Sequence, residues 1–135
     1  MARRTECYAD TSAFIAFLDR SDSYHLLFKR LFATPPPLVT SALVVAEGHG
    51  WFLRRYDARR AMEFLNFLSA LPMLEVACFD GEQLRQASRY VKKYADQSLT
   101  LADAHGLAVV NARRIRTCWS TDRHLSLEGA ALAIY

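Results

Sequence analysis

Glu6-Cys7-Tyr8-Ala9-Asp10-Thr11-Ser12-Ala13 is a short, apolar-leaning run that ends in a carboxylate and passes at once into two hydroxyl residues. Residues 6–9 read as a strand, and residues 12–18 have the apolar density of a helix. Working outward, the alternation continues. Tyr24, Leu27, Phe28, Leu31 and Phe32 recur at helical spacing, and Pro35-Pro36-Pro37 makes a stiff turn into a strand over 38–40. Ser41 suits the cap of a helix running to about Tyr56. Asp57 suits the cap of the next, in which Met62, Leu65, Leu68 and Leu71 are expected to face inward before Pro72 ends it. A strand over 74–78 leads through Asp80-Gly81-Glu82-Gln83 to a helix over 84–94. Thr100 opens a helix to about Arg113, residues 116–120 form a fourth strand, and residues 132–135 add a fifth. Short strands alternating with helices predict an α/β fold: a three-layer α/β/α arrangement around a twisted parallel sheet of four or five strands. In that architecture, sites form beyond the carboxyl ends of the strands. Asp10 and Asp122 both follow such ends.

The 135 residues make one domain, expected over 1–135 and long enough to bury roughly two thirds of its unfolded surface. Hydrophobic residues are 52% of the chain, but no uncharged apolar stretch approaches the roughly 20 residues needed to cross a bilayer. Met1-Ala2-Arg3-Arg4-Thr5-Glu6 lacks a signal-peptide apolar stretch, so the expected location is cytoplasmic, with no membrane partner. Cys7, Cys78 and Cys118 are widely spaced, in or beside predicted strands, and are expected to be buried free thiols. Lysine and arginine number 17 against 14 acids. Gathering four of those acids into one cleft leaves the remaining surface more positive than the net charge of +3 conveys, which favours a polyanionic partner.

Four carboxylates occupy awkward places. Asp10 suits a helix cap, but Thr11 or Ser12 would serve equally well and leave it free. Glu47 shares a mid-helix stripe with Leu43, Val44 and Trp51, where burial would cost free energy without a cation. Asp103 lies three residues after Thr100, the spacing of a capping box, yet shares a stripe with Leu99, Leu107 and Val110. Asp122, in Ser120-Thr121-Asp122-Arg123-His124, suits either a turn or a site. Asp96 reads most simply as a loop acid. Separations of 37, 56 and 19 residues along the quartet match no local metal loop, so such a site would be assembled by the fold. Converging carboxylates serve most economically to hold a divalent cation.

Ala9-Asp10-Thr11-Ser12-Ala13, Thr40-Ser41 leading to Ala46-Glu47, Leu99-Thr100-Leu101-Ala102-Asp103-Ala104 and Ser120-Thr121-Asp122-Arg123-His124 together resemble the PIN-domain ribonucleases, and within them the VapC-like toxins. Tyr94-Ala95-Asp96-Gln97-Ser98-Leu99 resembles the subgroup described as predicted PIN-domain nucleic-acid-binding proteins. The resemblance implies a metal-dependent endoribonuclease in which Asp10, Glu47, Asp103 and Asp122 surround Mg²⁺ or Mn²⁺. Thr11, Ser12 and Thr121 match the family's hydroxyl positions, and Asp96 matches an acid found in a subset of relatives. It also implies an RNA substrate, a small antitoxin that covers the cleft, and a homodimer. For that surface Tyr24, Phe28, Phe32, Phe64 and Phe67 are candidates, with core packing as the competing account. Such chemistry needs no side-chain nucleophile, and both one and two ions remain open. Arg123 and the group Arg113, Arg114 and Arg116 are expected to contact phosphates flanking the cut, the competing account being a solvated helix end. His124 and His49 each adjoin an acid and invite a ligand or proton-transfer role. The alternatives are a non-catalytic binding module, whose sequence would show a broken quartet, and an RNA-processing nuclease that is not a toxin. A phosphoacceptor protein would want a further acid near Asp10, where Ser12 stands.

Overall fold

A computed structural model describes residues 5–134. Five strands, β1 (Cys7–Ala9), β2 (Leu38–Ser41), β3 (Leu74–Ala77), β4 (Thr117–Trp119) and β5 (Ala131–Leu132), form one sheet in the order β3-β2-β1-β4-β5. Every neighbouring pair is parallel, with Tyr8 opposite both Val39 and Cys118. Six helices connect them: α1 (Thr11–Leu18), α2 (His25–Ala33), α3 (Ala42–Arg55), α4 (Ala58–Ala70), α5 (Gly81–Lys93) and α6 (Leu101–Ala112). The last residue of the expected fifth strand, Tyr135, lies outside the described residues.

Successive strand residues point to opposite faces, and this divides the core. Ala9 and Trp119 meet Phe14, Phe28, Phe32, Phe52 and Phe64 from α1–α4 on one face. Tyr8, Val39 and Cys118 meet Leu107 and Val110 of α6 on the other. The result is the α/β/α layering that the alternation predicts. Among the described residues no helix is long and apolar enough to cross a membrane.

Caps place the starts of α3 and α4 where the sequence puts them, while Asp80 starts α5 at Gly81, three residues before the expected 84, because its side chain already holds the Gln83 N–H. Ser41 Oγ accepts from the Leu43 N–H (3.0 Å), Asp57 Oδ1 from Arg60 (2.9 Å) and Asp80 Oδ1 from Gln83 (3.0 Å). Two packing expectations are corrected, and for the aromatic stripe the core-packing account holds. Met62 is 54% exposed, because α4 buries the row Ala61, Phe64 and Leu68 and Met62, the residue after Ala61, falls on another side of the helix. Cys78 is exposed, since β3 ends one residue before it at the sheet edge. Phe28, Phe32 and Phe64 are core residues rather than a docking face, and Phe67 stacks on Phe17 with ring centroids 4.7 Å apart.

Candidate active site

From β1 the chain builds outward through β2 and β3, then returns to lay β4 and β5 on the other side. The strand order therefore reverses between β1 and β4, and a crevice opens beyond their carboxyl ends. Asp10 follows β1 directly and Asp122 follows β4. The first turn of α6 brings Asp103, and α3 brings Glu47. All four carboxylates line one cleft, together with Thr11, Ser12, Ile15, Trp51, Arg54 and Thr100.

Asp10 is 5% exposed. It stands at the N-cap position of α1 but makes no capping bond there. Its Oδ2 instead accepts from Ser12 Oγ (3.2 Å) and Ser120 Oγ (3.1 Å). Burial first, and the charge of Asp103 second, push its carboxyl from the ordinary 3.8 up to about 7, against the opposing pull of the Thr11 backbone and Ser120.

Asp103 serves both roles that the sequence set against each other. Its N–H donates to Thr100 Oγ1 (3.0 Å) and its Oδ2 accepts from the Thr100 N–H (3.1 Å), a complete capping box. The same Oδ2 lies 3.1 Å from His124 Nδ1. A carboxylate carries about four acceptor directions, so the box leaves capacity facing the cleft. Asp122 Oδ1 accepts from the His124 N–H (2.9 Å) and also lies 3.2 Å from its Nδ1. One ligand atom each from Asp103, Asp122 and His124 falls within 4.8 Å of the others.

Glu47 reaches the cleft by another route than burial. α3 buries Val44, Gly48 and Phe52, and Glu47 falls off that row, so it is an exposed acid on the rim. Of the expected hydroxyls, Ser12 is central: besides Asp10 it takes the Thr121 N–H at 3.0 Å and touches Ser120 Oγ at 3.2 Å. Thr121 contributes this backbone donor. Thr11 Oγ1 is buried in the cleft wall without a hydrogen-bond partner.

Several expected residues stand elsewhere. Asp96 is exposed on a 3₁₀ turn, Ala95–Gln97, and does not line the cleft. Arg123 lines a separate groove with Ser126, Ala130, Ala131 and Leu132. Arg113 closes the far end of α6, about 15 Å along the helix from Asp103, where it pairs with Glu75 (2.7 Å) and Glu6 (3.1 Å). Arg114 and Arg116 belong to that same amino-terminal edge of the sheet, because α6 runs antiparallel to the strand it feeds. His105 is a satisfied core group, its Nδ1 2.6 Å from Ser41 Oγ and its Nε2 3.0 Å from Gln83 Oε1. Sequence reasoning missed Ser120, Trp51 and Arg54. Ser120 was legible as the residue ending the strand beside Asp10, and the other two as the continuation of the Glu47 stripe.

The donor set suits a hard divalent cation. The oxygens of Asp103 and Asp122 converge, with Asp10 and Glu47 lining the same cleft outside that cluster; the hydrogen bonds that reach the buried Asp10 carboxylate from side chains come from neutral serines, and the orphaned Thr11 hydroxyl marks polar space within the wall.

Sheet order, crevice and carboxylate set together define a parallel α/β protein with an acidic site at its topological switch point. The PIN domain family pattern matches residues 7–127. Ribonuclease VapC26 of Mycobacterium tuberculosis is 30% identical over 115 residues, 84% of each chain. The 23S rRNA-specific endonuclease VapC20 of that species is 29% identical over 124 residues, 90% of this chain and 93% of its own. The crystal structure of VapC20, described as a sarcin-ricin loop cleaving toxin, aligns with a TM-score of 0.84 at 24% identity over 93% and 96% of the two chains. VapBC2 from Rickettsia felis, solved bound to a promoter DNA fragment, aligns with a TM-score of 0.64 at 12% identity over 95% and 97%. The chain belongs to the PIN-domain family, as a VapC-like member.

Proposed function

We propose that this chain is a metal-dependent endoribonuclease that hydrolyses phosphodiester bonds in RNA and acts as the toxin of a toxin–antitoxin pair. The observation that carries the reading is the convergence of Asp10, Glu47, Asp103 and Asp122, drawn from four separated segments, on one cleft. Asp10, Asp103 and Asp122 are the proposed holders of Mg²⁺ or Mn²⁺, with Glu47 approaching from the rim. The bound cation supplies an acidified water and positive charge against the phosphate.

The protein's own part is to hold the donors ready. Ser12 and Ser120 both hold Oδ2 of Asp10 and so fix the orientation of its carboxylate. The Thr100 box sets the rotamer of Asp103, so that little side-chain entropy remains to be lost on binding. The His124 N–H holds Asp122, while its imidazole Nδ1 lies between Asp103 (3.1 Å) and Asp122 (3.2 Å) and braces both. Glu47, exposed on the rim, is the group we assign to take a proton from water or to steady the cation.

A small antitoxin is the proposed protein partner, and the likeness to solved VapBC assemblies supports it. A homodimer and a cytoplasmic location belong to the same reading. The experiment is cleavage of labelled single-stranded and structured RNAs with Mg²⁺, Mn²⁺ or EDTA, beside Asp10→Asn. Metal-dependent cutting that the variant loses is the expected result. A protein that binds RNA but neither binds metal nor cuts would be a binding module instead.

A further inference from the structure

We propose that Trp51 and Arg54 form a nucleotide-binding subsite on the α3 wall of the cleft, taking one unstacked base and its phosphate from a single-stranded stretch of nucleic acid. The identity of that polymer as RNA rests on the ribonuclease reading.

Glu47, Trp51 and Arg54 stand at i, i+4 and i+7 on α3, one stripe of the helix, and all three line the cleft with the buried carboxylates. Trp51 is half-buried and braced: its ring meets Phe52 edge-on at 4.9 Å between centroids and Tyr56 at 6.2 Å. The body of the indole is thus fixed against the core, while its remaining surface borders a groove. A rigid aromatic surface on a groove is what a base stacks on, whatever its identity.

Arg54 is the one basic residue among the described residues lining the cleft. A Cβ built on Gly50 would lie 2.9 Å from Arg54 Nη1, so the guanidinium folds back along α3 into space that only glycine leaves. Neighbouring cations are engaged elsewhere. The Arg55 guanidinium carbon lies 5.3 Å from the Tyr56 ring centroid, and Arg59 and Arg60 pair with Glu63. No ion pair holds Arg54 among the described residues. Its guanidinium is therefore available to a phosphate, which the negative cleft would otherwise repel.

Glu47 to Arg54 spans about 10 Å of helix. A strand following α3 then presents one phosphate to the carboxylates, the adjoining base to Trp51, and the next phosphate to Arg54. In an A-form duplex that base face is closed by stacking, so the subsite selects loops, bulges and unpaired ends.

The test is fluorescence anisotropy of a labelled short oligoadenylate, alone and paired with its complement, titrated with the full chain in EDTA across a salt series. Wild type should favour the single strand over the duplex. Trp51→Leu, which keeps apolar volume against Phe52, should weaken single-strand binding by about tenfold, and Trp51→Phe should recover most of the loss. Arg54→Ala should weaken binding and reduce the logarithmic salt slope by about 0.7, whereas Arg55→Ala, the same change in charge, should leave both near wild type. Failure of wild type to bind, a preference for duplex, wild-type affinity in Trp51→Leu, or equal effects of the two arginine variants would each overturn the subsite. Cleavage is scored separately, with Mg²⁺, on the single-stranded and structured RNAs of the activity assay. No cutting with this binding pattern intact counts against the ribonuclease and supports the subsite, while cutting with unaltered Trp51→Leu binding does the reverse.

Discussion

Replacing Asp10 by asparagine should stabilise the metal-free protein, and only at neutral and alkaline pH. The asparagine side chain is isosteric, and its amide oxygen can keep the bonds from Ser12 and Ser120. What the change removes is the cost of ionising a carboxyl that is 5% exposed and lies close to Asp103. The folded carboxyl sits at about 7 against an ordinary 3.8. At about 1.4 kcal/mol per unit, the ionised form costs about 4 kcal/mol. An amide proton left without an acceptor returns about 1–2 kcal/mol of this, leaving a net gain of about 2–3 kcal/mol. The folded state binds the proton more tightly than the unfolded chain, so wild-type stability falls as pH rises from about 4 to about 7 and then levels. The amide does not titrate, and the advantage of Asp10→Asn grows over that window. Thermal and urea unfolding in EDTA, followed by circular dichroism, should show the variant less stable than wild type by about 1–2 kcal/mol at about pH 4 and its midpoint higher by on the order of 10 °C at about pH 8. A variant no more stable than wild type at the higher pH, or a difference independent of pH, would refute the reasoning.

Other perturbations separate neighbouring positions. Gly48→Ala and Gly50→Ala gain the same helix propensity, about 0.5–1 kcal/mol, yet should move stability in opposite directions. A Cβ at Gly48 meets the buried Phe64 ring at 2.4 Å, whereas at Gly50 it meets only the movable end of Arg54; overpacking at the first should cost about 1–3 kcal/mol in urea unfolding. Arg113→Ala breaks the pairs with Glu6 and Glu75 and should cost about 1 kcal/mol or less while leaving the salt dependence of RNA binding unchanged. Mg²⁺ at about a hundred times its dissociation constant should stabilise wild type by about 2.7 kcal/mol. Asp103→Asn should forfeit most of that gain in thermal melts at about pH 8, where Asp10 is ionised.

What local chemistry settled is visible in particular residues. Ser41, Asp57 and Thr100 cap helices that start where their short polar side chains predict, because a capping bond needs only two or three residues of chain. The alternation of strand and helix likewise foretold a parallel sheet, and the position of Asp10 and Asp122 beyond strand ends foretold their convergence. Helix faces were less legible. A stripe drawn on α4 selected Met62 where the fold buries Ala61 and Phe64, because that choice depends on where α3 lies, and α3 comes close enough only through Gly48.

The cations show the division most clearly. Arg113, Arg114 and Arg116 are near Asp122 in the chain, yet the direction of α6 carries them to the opposite edge of the sheet, while Arg54, remote in sequence from three of the four acids, stands in the cleft with them. Propensity, capping and periodicity act over a turn or two and can be read along the chain. Which charges face one another depends on strand order and helix packing, interactions between segments tens of residues apart, and those exist only once the chain has folded.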